Sequence, residues 1–224
     1  MTTLLSEAVA DAMFASNGQG RLLGDSPDMY LLRTREGAVC RFHADLPDGI
    51  VAMLRELVER PRGRPGSWAR EYAGYANVIS AVGPFEAVRA GPFYDFPERI
   101  EQDGEAISID GRNAHLLRGG LDEWLPDVAA GLPMAAVVAD GRAVALCASV
   151  RASAAVHCAG VETVPEHRGR GLAGRAVSAW AATVRSRGAT PIYGTTFDNL
   201  SSQRVAARLG LRPVGTEFWI KCGR

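Results

Sequence analysis

Hydrophobic and polar positions follow two regimes along the chain, with a change near residue 100. In the first, Leu4, Leu5, Ala8, Val9, Ala12 and Met13 recur at helical spacing until Asn17-Gly18 interrupts them, which predicts a helix over 3–16. Residues 29–33 and 38–42 read as short strands joined by the polar turn 34–37. Pro47 opens a second helix with Ile50, Val51, Leu54, Leu57 and Val58 along one side. The run Pro61-Arg-Gly-Arg-Pro-Gly is a turn or loop, after which Ser67 caps a third helix whose Trp68, Tyr72, Tyr75 and Ile79 read as core. Over 83–103 glycine and proline become denser and the periodicity fades. A domain boundary is expected there, with a linker over 84–97 whose Phe85, Phe93, Tyr94 and Phe96 could lie across the acceptor side of any site. Residues 1–98 would form an N-terminal α+β lobe and 99–224 a second domain.

In the second regime strands and helices alternate. The pattern predicts a strand over 106–109, a helix over 121–130, and a hairpin of 134–139 with 143–150 turned by Asp140-Gly141. A strand over 155–164 leads into a helix over 171–187 with Ala173, Val177, Trp180, Ala181 and Val184 facing inward. A strand over 191–197, a helix over 199–209 and a strand over 213–220 complete the chain. The fold class is α+β, a mixed sheet with helices on it.

Composition narrows the partners. Lys plus Arg equals Asp plus Glu at 25 each, so no nucleic acid and no anionic membrane is expected as a partner. The uncharged runs, among them 128–139 with its Pro133, are all well short of the roughly 20 residues that span a bilayer. The first basic residue is Arg21, and no secretory signal is expected. Cys40, Cys147, Cys158 and Cys222 form no CxxC pair; reduced thiols and a cytoplasmic location follow as expectations. His43, His115 and His167 lack metal-ligand spacing, so no metal is assigned.

Chemistry concentrates between the strand ending at Val164 and the helix beginning near Gly171, in Pro165-Glu-His-Arg-Gly-Arg-Gly-Leu-Ala-Gly174. Glycines let a backbone approach a ligand closely, and the amides opening a helix offer unpaired hydrogens at the positive end of its dipole. A pyrophosphate would bind there, with Arg168 and Arg170 adding donors. Gly169, Gly171 and Gly174 spell GxGxxG, but a dinucleotide fold wants an acidic residue about 20 positions on, where Gly194 stands between Tyr193 and Thr195.

The same segment, Val161-Glu-Thr-Val-Pro-Glu-His-Arg-Gly-Arg-Gly-Leu-Ala-Gly174, resembles the acetyl-CoA motif of the GNAT superfamily of N-acetyltransferases: Gln or Arg, two residues, Gly, one residue, Gly or Ala, here Arg168, Gly171 and Ala173. A second element of the family matches at Asn199, Ser202 and the Leu209-Gly210 helix ending. The resemblance covers residues from about 104 to 221. It implies that strand 155–164 splays from strand 191–197 with acetyl-CoA, as co-substrate, in the gap. Backbone groups of Val161 and Thr163 would pair with the pantetheine. Arg168 and the amides of Gly169, Arg170, Gly171, Leu172, Ala173 and Gly174 would hold the pyrophosphate, and Asn199 and Ser202 would face the cofactor's arm. The implied reaction is direct attack of a primary amine, on a small molecule or a peptide, upon the thioester.

Such an amine must lose a proton. Counting back from Arg168, His157 falls where relatives carry a Glu or His base, with Glu162 as the other candidate; the first can equally be a satisfied strand histidine and the second an ion-paired carboxylate. Asn199 can also simply cap its helix. Relatives often place a tyrosine seven residues after the asparagine to protonate the leaving thiolate, whereas this chain has Ala206. Tyr193 is the substitute acid on the neighbouring strand. That departure keeps open a second reading, a CoA-binding regulatory module that has lost turnover. An edge strand near the carboxyl terminus could pair across a homodimer.

Overall fold

The computed structural model describes residues 3–60, 68–100 and 105–223. In chain order the elements are α1 (Thr3–Met13), β1 (Met29–Thr34), β2 (Ala38–Phe42), α2 (Asp48–Glu59), α3 (Trp68–Ile79), β3 (Phe85–Asp95) and β4 (Ile107–Ser108). After two short 3-10 turns come α4 (Leu125–Val128), β5 (Met134–Ala139), β6 (Arg142–Ala152) and β7 (Val156–Thr163). Then follow α5 (Leu172–Ser186), β8 (Thr190–Gly194), α6 (Leu200–Arg208) and β9 (Arg212–Cys222). The chain divides into two compact units, Met1–Pro92 with Val214–Arg224, and Phe93–Pro213. The boundary thus falls a few residues before the expected 98, and the last strand, expected with the second domain, is counted with the first unit.

In the first unit β1 is buried at all six positions because it runs antiparallel between β2 and β9, with Met29 opposite both Phe42 and Ile220. Tyr72 and Tyr75 of α3 are buried, and Tyr72 stacks on Phe218 of β9 with ring centroids 4.5 Å apart, as the aromatic stripe predicted, but Trp68, in the first turn of the helix, is exposed and not core. The Ser67 cap and the preceding loop lie outside the described residues. The expected linker over 84–97 is instead largely strand, β3 at Phe85–Asp95, and Phe93 and Phe96 are core residues, Phe96 lying 6.0 Å from Trp180.

The second unit is a mixed sheet in the order β3–β8–β7–β6–β5–β4. Its β5–β6 hairpin is fixed by Asp140 at φ 50° and Gly141 at φ 75°, the two left-handed positions that a tight hairpin turn demands. One sheet face is covered by α5, whose Ala176, Val177, Trp180, Ala181 and Val184 pack on Ala135, Ala145, Cys147 and Tyr193. The other face carries Leu117, Leu121, Met134, Leu146 and Ala148, with Trp124 packed against them. The helix expected over 121–130 is instead a 3-10 turn, Asp122–Trp124, running into the four residues of α4. No described helix is long and apolar enough to cross a membrane.

Candidate active site

Two neighbouring parallel strands part company here. β7 and β8 share only three register pairs, Val156 with Thr190, His157 with Pro191 and Cys158 with Ile192. β7 nevertheless continues to Thr163, held along its other edge by β6. The amide of Val164 donates to the Val144 carbonyl at 3.0 Å, which sets the phase of that antiparallel pairing. Gly160, Glu162 and Val164 therefore turn their backbone groups to β6, and Val161 and Thr163, beyond the last pair with β8, turn theirs into the opening gap. The Thr163 carbonyl accepts from Arg168 Nε at 3.0 Å, which fastens the arginine to the end of the strand. A gap lined by free strand backbone on one side can accept an extended ligand as an added strand.

The chain then makes a 3-10 turn, Pro165–His167, and enters α5 through Gly169 and Gly171, at φ 76° and 78°. Gly171 is the N-cap, a place where a left-handed backbone requires glycine. Among the described residues none accepts a hydrogen bond from the amides of Gly169, Arg170, Gly171, Leu172 or Ala173. A Cβ added at Gly169 or Gly171 would meet nothing within 4 Å, so the cradle is open to solvent. Five exposed donors at the head of a 15-residue helix suit a diphosphate. Gly174 differs: its amide donates to the Gly171 carbonyl at 3.1 Å, and its bare Cα faces Leu209 of α6. Its amide is therefore already partnered within the first turn, unlike the five before it.

At the head of α6, Asn199 Oδ1 accepts from the Ser202 amide at 3.0 Å, so the asparagine caps the helix it begins. Ser202 Oγ and the Tyr193 hydroxyl are 2.7 Å apart. Burial pushes the Tyr193 phenol up to about 12, so it carries its proton at neutral pH. Ala206, where the resemblance expected a tyrosine, is the fully buried residue of α6.

The two candidate bases fall in different places. His157 lies in the paired stretch of β7, 7% exposed, with Nδ1 2.8 Å from Ser149 Oγ. That hydroxyl also receives the Trp180 indole N–H at 3.0 Å. Burial, then the positive charge of Arg187, lowers the His157 pKa. Glu162 lies in the parted stretch, and its even position puts it on the opposite sheet face. There Trp124 Nε1 donates to Glu162 Oε2 at 2.6 Å. Trp124 escaped the sequence reading, although Gly160 hinted at it: a glycine inside a strand marks close approach. A Cβ at Gly160 would stand 2.9 Å from Trp124 Cη2 and would overlap Val150.

Comparison with known proteins agrees with this geometry. A model of the family GNAT acetyltransferase matches residues 132–216, from the β5–β6 hairpin through α6 into β9. A GNAT-family protein from Novosphingobium aromaticivorans has a similar structure, with TM-score 0.50 and 20% identity over 62% of this chain and 67% of that one. An acetyltransferase of the GNAT family from Colwellia psychrerythraea aligns with TM-score 0.50 and 12% identity over 92% and 79% of the two chains. A Drosophila protein gives 0.51 and 17% over 88% and 75%. At these identities the likeness is one of fold. A search of curated proteins gave no match. The resemblance to the GNAT superfamily, first carried by two short motifs, thus extends to a family model and to solved folds.

Proposed function

We propose that the chain is an N-acetyltransferase that moves an acetyl group from acetyl-CoA to a primary amine. The observation that carries this reading is the parted β7–β8 pair ending in five free amides: strand backbone at Val161, beyond the last β8 pair, for the pantetheine amides, and Gly169 to Ala173 for the pyrophosphate. Arg170 adds a charge at the mouth, while Arg168 is held by Thr163 and contributes its remaining guanidinium N–H groups. Acetyl-CoA supplies the activated acyl group. The chain's own share is to fix donor and acceptor together and to manage two protons.

Glu162 serves better than His157 as the base. It stands on the parted segment with its carboxylate held by one donor, whereas His157 is enclosed, hydrogen-bonded to Ser149, and part of the core beneath Trp180. Tyr193, paired with Ser202, is the proton source for the leaving thiolate, which at a pKa near 8.5 needs little help. As the amine nitrogen bonds to the acyl carbon the carbon–sulfur bond breaks, the amine proton passing to Glu162 and sulfur leaving as thiolate or thiol. Isothermal titration with acetyl-CoA, followed by assay of CoA release over an amine panel, tests the proposal. No heat and no thermal shift at millimolar ligand would remove it.

Ala206 favours a second reading, a CoA-binding regulatory module without turnover. Binding with no release of CoA over the whole panel would select it; steady release would exclude it.

A further inference from the structure

The indole of Trp124 lies on β7 at the point where that strand leaves its neighbour. Its Cη2 lies beside Gly160, where an added Cβ would stand 2.9 Å from it and overlap Val150 Cγ1, and its Nε1 donates to Glu162 Oε2 at 2.6 Å. The two contacts fall on alternate residues of one strand face, so the ring spans the strand's repeat. Trp124 itself closes the 3-10 turn Asp122–Trp124, and Leu121, just before that turn, is packed in the core, which fixes where the ring starts. Asp122 ties the same turn down by accepting from the amides of Gly119 and Gly120 at 2.8 and 3.0 Å.

We infer that Trp124 is a positioning residue for Glu162: its N–H holds one carboxylate oxygen, leaving the other to take the amine's proton. This rests on the acetyltransferase reading. Trp124 need touch neither acyl donor nor acceptor; it acts through the carboxylate.

The test compares wild type with W124F, which keeps a ring beside Gly160 and removes the donor, by kcat and KM for CoA release. kcat should fall about tenfold, with the KM and the affinity for acetyl-CoA retained. In an E162Q background the same change should cost little more, because the group it serves is gone. An unchanged kcat, or an equal loss in both backgrounds, overturns the inference. Should W124F fail to fold, E162Q alone still decides: the Trp124 indole N–H resonance should move from its wild-type position, and a resonance that stays in place overturns the inference. A wild type that binds acetyl-CoA and releases no CoA from any amine defeats the acetyltransferase reading and this inference with it. An active wild type with a silent W124F defeats this inference alone.

Discussion

Gly171 and Gly174 sit three residues apart in one motif, yet the structure gives opposite forecasts for replacing each with alanine. At Gly171 φ is 78° and a new Cβ would meet nothing, so the whole effect of Gly171→Ala is conformational. A non-glycine residue in the left-handed region costs about 1–2 kcal/mol. If the variant loop holds the native backbone, that cost appears in folding. For a chain of this size it lowers Tm by roughly 2–8 °C with acetyl-CoA affinity unchanged. If the loop relaxes instead, Tm is spared and the cost returns when the ligand requires the amides re-aimed, weakening Kd by about 5- to 30-fold. The two losses, measured by thermal denaturation and isothermal titration, should together come to about 1–2 kcal/mol. Gly174 has no left-handed φ, and a Cβ there stands at an ordinary 3.6 Å from Leu209 Cδ2. Gly174→Ala should keep the wild-type Kd and gain about 0.5–1 kcal/mol of stability from removing a helical glycine. Equal effects at the two positions, or a Gly171→Ala protein matching wild type in both Tm and Kd, would refute the assignment of the left-handed glycine as the shaper of the cradle.

Glu162→Gln should lower turnover about a hundredfold or more with acetyl-CoA binding intact, measured by steady-state CoA release. His157→Gln should leave turnover within a few-fold and lower Tm instead, through lost contact with Ser149; the reverse ranking would restore the histidine as base. Because burial depresses the His157 pKa, its neutral form favours the fold: that stability is present above about pH 6.5 and is lost as pH falls through the folded value. His157→Gln should therefore flatten the acid side of a Tm–pH curve. Tyr193 behaves oppositely. Its raised pKa contributes stability that is whole below about pH 10 and is lost as pH rises through about 12, so Tyr193→Phe should soften alkaline unfolding while slowing thiol release at neutral pH.

The parts legible in the sequence are those dictated by neighbours in the chain. Asp140-Gly141 can turn a hairpin because both residues accept a left-handed backbone, and Gly169 and Gly171 announce a cradle for the same reason. The α5 stripe was visible because one face is buried against the sheet, although Ala176 takes the deeper position expected of Ala173. β3 was not legible: its burial does not alternate, Gly91 and Pro92 interrupt it, and its order at Phe93–Asp95 comes from pairing with β8, a hundred residues on. Strand phase was the other hidden quantity. His157 and Glu162 are both plausible bases on one strand, but five residues apart they fall on opposite faces, and only the pairing with β6 says which. Trp124 was hidden because its partner lies 38 residues away, across the sheet face.

The most direct measurement follows the backbone amide resonances of the chain as acetyl-CoA is added. The account predicts that Gly169, Arg170, Gly171, Leu172 and Ala173 shift together in saturable fashion with Val161, while Gly174 moves least within the motif. A titration to millimolar ligand in which those amides stay still, or in which the shifts gather elsewhere in the chain, contradicts it.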